Sequence, residues 1–144
     1  MIAKEMMFKY SDCWESGVGD DEFVLRVPGG VRSKIELLET LASAGNFPDY
    51  FGGNWDALQD CLRDLSWISN KGVAIAHSDL PLLNDPSECR IYLEILSEVV
   101  VDWMDGVQPG SVEPSPEWNY VEHEFTVIFP VSARDAVKRA FTDA

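Results

Sequence analysis

Basic residues are scarce in this chain, in which 11 Lys and Arg face 25 Asp and Glu across 144 residues, giving a formal net charge of −14. Phosphate polymers and anionic membranes would be repelled by such a surface, so direct nucleic-acid or membrane binding is disfavoured. A basic protein would be attracted, and faster at low salt; solubility alone is the other reading of the same charge. Long apolar runs are also missing. Val99-Val100-Val101 is followed at once by Asp102, and nothing approaches the ~20 residues that span a bilayer. Near the start, Lys9, Asp12 and Glu15 interrupt any stretch that could read as a signal peptide, so a cytoplasmic location is the expectation. Cysteine is limited to Cys13, Cys61 and Cys89, an odd number with no C-x-x-C pair, which favours free thiols in a reducing compartment. The only histidines are His77 and His123. No metal and no cofactor are therefore expected. Nor does the chain carry a G-x-S-x-G, P-loop, H-E-x-x-H or G-x-G-x-x-G pattern, so the usual nucleophile, phosphate-cradling and dinucleotide signatures are missing.

What is present is an apolar content of 46%, enough for one core, and the expectation is a single domain over residues 1–144 with its core at about 23–128. Met6-Met7-Phe8 and Tyr10, ahead of Gly17, Gly19, Asp20 and Asp21, suggest a short strand and then a loop. Phe23 to Val27 alternates as a strand with Phe23, Leu25 and Val27 on one face, closed by Pro28-Gly29-Gly30. Ser33 and Glu36 form a capping-box pattern for a helix from about Lys34 to Ala44, with Ile35, Leu38, Leu41 and Ala42 as its apolar stripe and Gly45 at its end. Asn54 caps a second helix through about Leu65.

Gly72 to His77 reads as a buried strand. Asp85-Pro86-Ser87-Glu88 opens a long helix that carries Tyr92, Leu96, Val99 and Trp103 on one side and runs to about Asp105. Gly106 to Val121, with Pro109, Pro114 and Pro116, reads as a surface loop. Phe125 to Phe129 is a further strand, and Ser132 to Phe141 a terminal helix. Strands separated by helices give an α/β fold of parallel strands joined by right-handed crossovers.

In the second helix Trp55, Leu58, Leu62 and Leu65 have core spacing, while Asp56, Asp60 and Asp64 recur every four residues on another face with Gln59 and Arg63 nearby. Glu94, Glu98 and Asp102 repeat the acidic pattern on the long helix. Like charges at i,i+4 repel slightly. Such rows are ordinarily solvated faces; a binding surface and a carboxylate acid–base pair are the alternatives. Cys61, next to Asp60, reads as a small core residue rather than a nucleophile, and His77 as a structural histidine.

The stretch Phe47-Pro48-Asp49-Tyr50-Phe51-Gly52-Gly53-Asn54-Trp55-Asp56-Ala57-Leu58-Gln59-Asp60-Cys61-Leu62 resembles the barstar family of ribonuclease inhibitors. The likeness extends more loosely over about Phe23 to Ile128. It implies an α/β fold in which a three-stranded parallel sheet is packed with helices, leaving room for an extra N-terminal strand and a C-terminal helix. It further implies a non-enzymatic, intracellular inhibitor whose loop and second helix plug the active site of a basic, secreted ribonuclease of the barnase type. By the same resemblance, Asp60 matches the aspartate that enters the enzyme's phosphate site and Asp56 a neighbouring carboxylate. Tyr50, Gly52 and Asn54 match loop positions that touch the enzyme, and Glu98 matches a glutamate on the later helix. With Gln59 between the two aspartates, these residues form the expected partner-binding set.

Departures from the family pattern bear on which enzyme is the target. Gln59 stands where the type member has tryptophan, Leu65 where it has another aromatic, and Gly53 where it has glutamate; Trp67 is either a substitute aromatic contact or a core residue. The alternatives are an immunity protein against another basic nuclease toxin, such as a deoxyribonuclease, and a small carboxylate-dependent hydrolase.

Overall fold

The computed structural model describes residues 4–12, 21–48, 52–105 and 123–142. Its strands are β1 (Lys9–Tyr10), β2 (Glu22–Val27), β3 (Gly72–His77) and β4 (Glu124–Phe129), and its helices α1 (Lys34–Ala44), α2 (Trp55–Asp64), α3 (Pro86–Asp105) and α4 (Arg134–Thr142). Single 3₁₀ turns at Lys4–Met7 and Val131–Ala133 precede β1 and α4.

All four strands are parallel, in the order β1-β4-β3-β2. β3 pairs with β2 from Glu22↔Gly72 to Val27↔His77 and with β4 from Gly72↔Glu124 to Ala76↔Ile128. Flanked on both edges, β3 is buried at every residue, as expected of a central strand in a parallel sheet. Its alternation sends Val73 and Ile75 into the main core with Leu25, Val27, Val127 and Phe129, while Ala74 and Ala76 form a small cluster with Ile128 on the other face. The sheet expected from the family likeness is thus present, extended by β1. That extra strand begins later than the Met6-Met7-Phe8 run suggests, because those methionines lie in the 3₁₀ turn and Phe8 packs its ring on Phe129 at 5.3 Å.

On α1, Ser33 Oγ accepts from the Glu36 backbone N–H at 3.1 Å, giving one half of the capping box. The apolar stripe is rotated from the expected one. Leu37, Leu38 and Leu41 are buried, whereas Ile35 is 68% exposed and Ala42 half-buried. Two leucine-containing stripes were available in this sequence, and the one that fits β2 went inward. Helix α1 stops where Gly45 approaches β2 so closely that an added Cβ would lie 2.8 Å from Leu25 Cδ2. The expected side of α3 is correct, with Tyr92, Leu96, Val99 and Trp103 all buried.

His77 closes β3 inside the core. Its Nδ1 lies 2.9 Å from the Ile128 carbonyl oxygen, which can only accept, so Nδ1–H donates there and Nε2 accepts from the Tyr92 hydroxyl at 2.7 Å. The imidazole also stacks on Phe129 at 4.1 Å. Burial pushes its pKa down to about 4, only partly opposed by the Ile128 hydrogen bond. This neutral, satisfied ring is structural, as the sequence suggests. Cys61 and Cys89 are free and buried; Cys13 and the Gly106–Val121 loop lie outside the described residues.

Candidate functional site

Helix α2 begins at a turn that glycine makes accessible. Gly53 has φ +70, a left-handed conformation that L side chains resist, and next to it Asn54 is extended, with Oδ1 accepting from the Ala57 N–H at 2.8 Å. Asn54 is therefore foremost a helix cap, which restricts the contact role expected from the family likeness. Gly52 is exposed beside it. Tyr50 lies outside the described residues.

The other end of α2 is fastened more firmly. Leu65 adopts φ +50 as the C-cap, a conformation that costs a branched side chain on the order of 1 kcal/mol. Complete burial of Leu65 offsets this. Trp103 Nε1–H donates to the Leu62 carbonyl at 2.8 Å, and His123 sits between two more carbonyl oxygens, with Nε2 3.0 Å from Leu65 O and Nδ1 2.7 Å from Asn70 O. The Leu62 carbonyl released at the helix end thus meets a donor from α3, and the imidazole of His123, on the approach to β4, lies against that of Leu65.

Between these ends, Leu58, Cys61 and Leu62 face the core. Trp55 joins them in part, packing against the core with its ring 6.0 Å from that of Tyr92. It is half-buried at the margin, with Nε1–H donating to the Glu88 carboxylate and the Lys34 ammonium 5.4 Å above its ring. An indole needs an outlet for its N–H, and the boundary with α3 provides one. Trp67 is likewise turned inward, donating to Gly45 O at 2.8 Å and meeting Phe47 edge-on.

Asp56 and Asp60 are exposed on the opposite side of α2, and neither forms a hydrogen bond or ion pair with a described residue. Asp56 lies in the first turn, where the helix dipole favours an anion. Gln59, half-buried next to Asp60, reaches across to α3 and donates from Nε2 to Glu98 Oε2 at 2.7 Å. One turn further on, Arg63 Nε–H donates to Asp102. Both links join residues 39 apart, so α2 and α3 run in the same direction and present their acidic rows side by side. The rows are not uniform. Glu94 pairs with Arg90 at 3.1 Å and with Lys4 at 3.7 Å, Asp102 pairs with Arg63, and among the described residues Glu98 receives only a neutral amide.

The structure thus sets Gln59 against Glu98 and leaves Asp56 and Asp60 exposed on the same helix, with Asn54 and Gly52 at its start. The cross-links to Asp102 and Glu88 were not foreseen. The i,i+4 repeats in both helices were visible in the sequence, but the register between the helices was not.

Chemically, the face can receive cations and does little else. Burial, with smaller contributions from Asp64 and Asp60, raises the Cys61 thiol to about 11, and burial with Asp85 does the same for Cys89, so neither is a thiolate at neutral pH. The recesses lined by Lys71, Trp103 and His123 and by Leu80, Cys89 and Arg139 contain no residue of α2. Within the described residues no helix is long and apolar enough to cross a membrane.

Nothing among curated proteins or solved structures matches the chain significantly. A family model described as barstar, the barnase inhibitor, matches residues 23–115, most of the chain and all of α1, α2, β3 and α3. Fold and match agree: this chain belongs to the barstar family, a family of inhibitors rather than enzymes.

Proposed function

We propose that the protein inhibits a basic ribonuclease of the barnase type by laying the acidic face of α2 into the enzyme's active site. The observation that carries this reading is the exposure of Asp56 and Asp60 on a helix capped at both ends, with Glu98 held alongside by Gln59, inside the segment matched to the barnase-inhibitor family. A ribonuclease must gather arginine or lysine around its substrate's phosphate. Carboxylates at fixed spacing imitate that anion, and each contact they form is a charge-assisted hydrogen bond. A site that is already rigid gives up little further entropy on binding. The net charge of −14 adds long-range attraction toward a basic partner. By this reading Asp60 is the central contact, Asp56 and Glu98 flank it, and Asn54 acts by holding the helix start.

The test is complex formation with a barnase-type ribonuclease, followed by stopped flow and calorimetry at low and physiological salt. A one-to-one complex whose association slows as salt rises is expected. An absence of binding in both conditions would overturn the assignment to that enzyme class, and binding to a basic deoxyribonuclease instead would favour an immunity role.

A further inference from the structure

The two cross-helix links look alike and act oppositely on charge. Gln59 gives Glu98 a neutral amide N–H at 2.7 Å, which fixes the carboxylate and leaves its charge in place. Arg63 gives Asp102 a guanidinium, which fixes the carboxylate and cancels its charge. Building on the inhibitor reading above, we propose that Arg63 is a specificity-determining residue that confines the cation-receiving surface to Asp56, Asp60 and Glu98 and selects a partner with no cation opposite the last turn of α2.

Asp102 already holds a cation at hydrogen-bonding distance, and its side chain is only 21% exposed. A partner lysine or arginine arriving there would meet the partly exposed Arg63, 32% open to solvent, and would be repelled by it. One turn earlier no protein cation competes for Glu98 among the described residues. The preferred partner is thus a basic protein whose positive charges converge over the first two turns of α2. A nuclease that spreads its cations along the whole helix would be rejected, since repulsion at one position is as effective in discrimination as attraction at another.

The experiment uses the full chain and the variants Asp102→Asn, Arg63→Gln, Arg63→Lys, Asp60→Ala and the double variant Arg63→Gln/Asp102→Asn. Affinity is measured against two probes, a barnase-type ribonuclease and a hexa-arginine peptide, after thermal melts have confirmed that each variant is folded. With Arg63 in place, Asp102→Asn leaves the guanidinium uncompensated and should weaken both complexes by about twofold, whereas in the Arg63→Gln background, where the carboxylate itself is open to the peptide, it should weaken peptide binding roughly fivefold. Arg63→Gln alone should tighten peptide binding and steepen its salt dependence, and Arg63→Lys should behave like the parent, which a purely structural role would not produce. The inference is overturned if Asp102→Asn with Arg63 present weakens either complex as much as Asp60→Ala does, or if Arg63→Gln leaves peptide binding and its salt dependence unchanged. Should no variant bind the ribonuclease while the peptide shows the expected pattern, the inhibitor reading fails for that enzyme and the charge assignment to Arg63 survives.

Discussion

On one side of α2, Leu58, Cys61 and Leu62 have essentially no solvent exposure where the helix packs against α3, whereas on the other side Asp56 and Asp60 stand in solvent. Ten residues thus serve two purposes, and the purposes rest on different forces. The inner face draws on removal of apolar surface from water, which is non-directional and large. The outer face contributes little to the free protein, since exposed like charges four residues apart repel one another weakly. Its value lies in geometry that the inner face and the two caps maintain. Stability and binding should therefore respond to separate substitutions.

The largest separation is expected for Leu62→Ala, which leaves a void beneath α2 and should cost about 3 kcal/mol in urea unfolding. The fraction that remains folded should keep the parent affinity for a basic partner.

Next is the dependence of stability on pH through His77, on the core side of the comparison. Above the ordinary histidine pKa of 6.5 both folded and unfolded chains are neutral at this ring, and its stabilising bonds are fully present. Between 6.5 and about 4 the unfolded chain takes up a proton that the folded chain refuses. Stability must then fall as pH falls, by up to about 3 kcal/mol from this group. Replacement by glutamine should lower stability at pH 7 and flatten the unfolding profile from pH 6.5 to 4 relative to the parent.

A smaller effect, confined to binding, is predicted for the acidic side. Asp60→Ala should weaken the ribonuclease complex by about 2 kcal/mol without shifting the melting temperature appreciably, while Glu39→Ala, which removes the same charge from an exposed position on α1, should leave affinity within about twofold. Equal losses would show that only total charge matters. Smallest is Asn54→Ala, which deletes the N-cap and should cost about 1 kcal/mol of stability, with a modest loss of affinity because the first turn bearing Asp56 loosens.

How far the sequence revealed these faces depended on whether the cause was local. The bounds of α2 were readable because Asn54, the preceding glycine and the leucine spacing act over a few residues, and the same holds for the Asp85–Pro86 start of α3. Core partners chosen by tertiary fit were less legible. Ile35 and Leu37 are equally apolar, and only contact with β2 decides which turns inward. Trp55 has core spacing and packs against the core, but its N–H reaches Glu88 at the margin, a partner that spacing alone does not name. Positions for Asp56, Gln59, Asp60 and Glu98 followed from a family likeness that periodicity alone could not supply. The distinction between Glu98 and Asp102 required the register of two helices whose residues lie 39 apart in sequence.

Whether the acidic face of α2 occupies a ribonuclease active site is read most simply from a titration of RNA cleavage. A fixed amount of a barnase-type ribonuclease would be mixed with rising amounts of the parent chain or of Asp60→Ala at physiological salt. Cleavage should fall linearly to near zero at about one equivalent of the parent chain, as tight one-to-one binding requires, and the variant should need a marked excess. Undiminished cleavage at excess inhibitor would exclude inhibition of this enzyme, and equal inhibition by parent and variant would exclude Asp60 as its central contact.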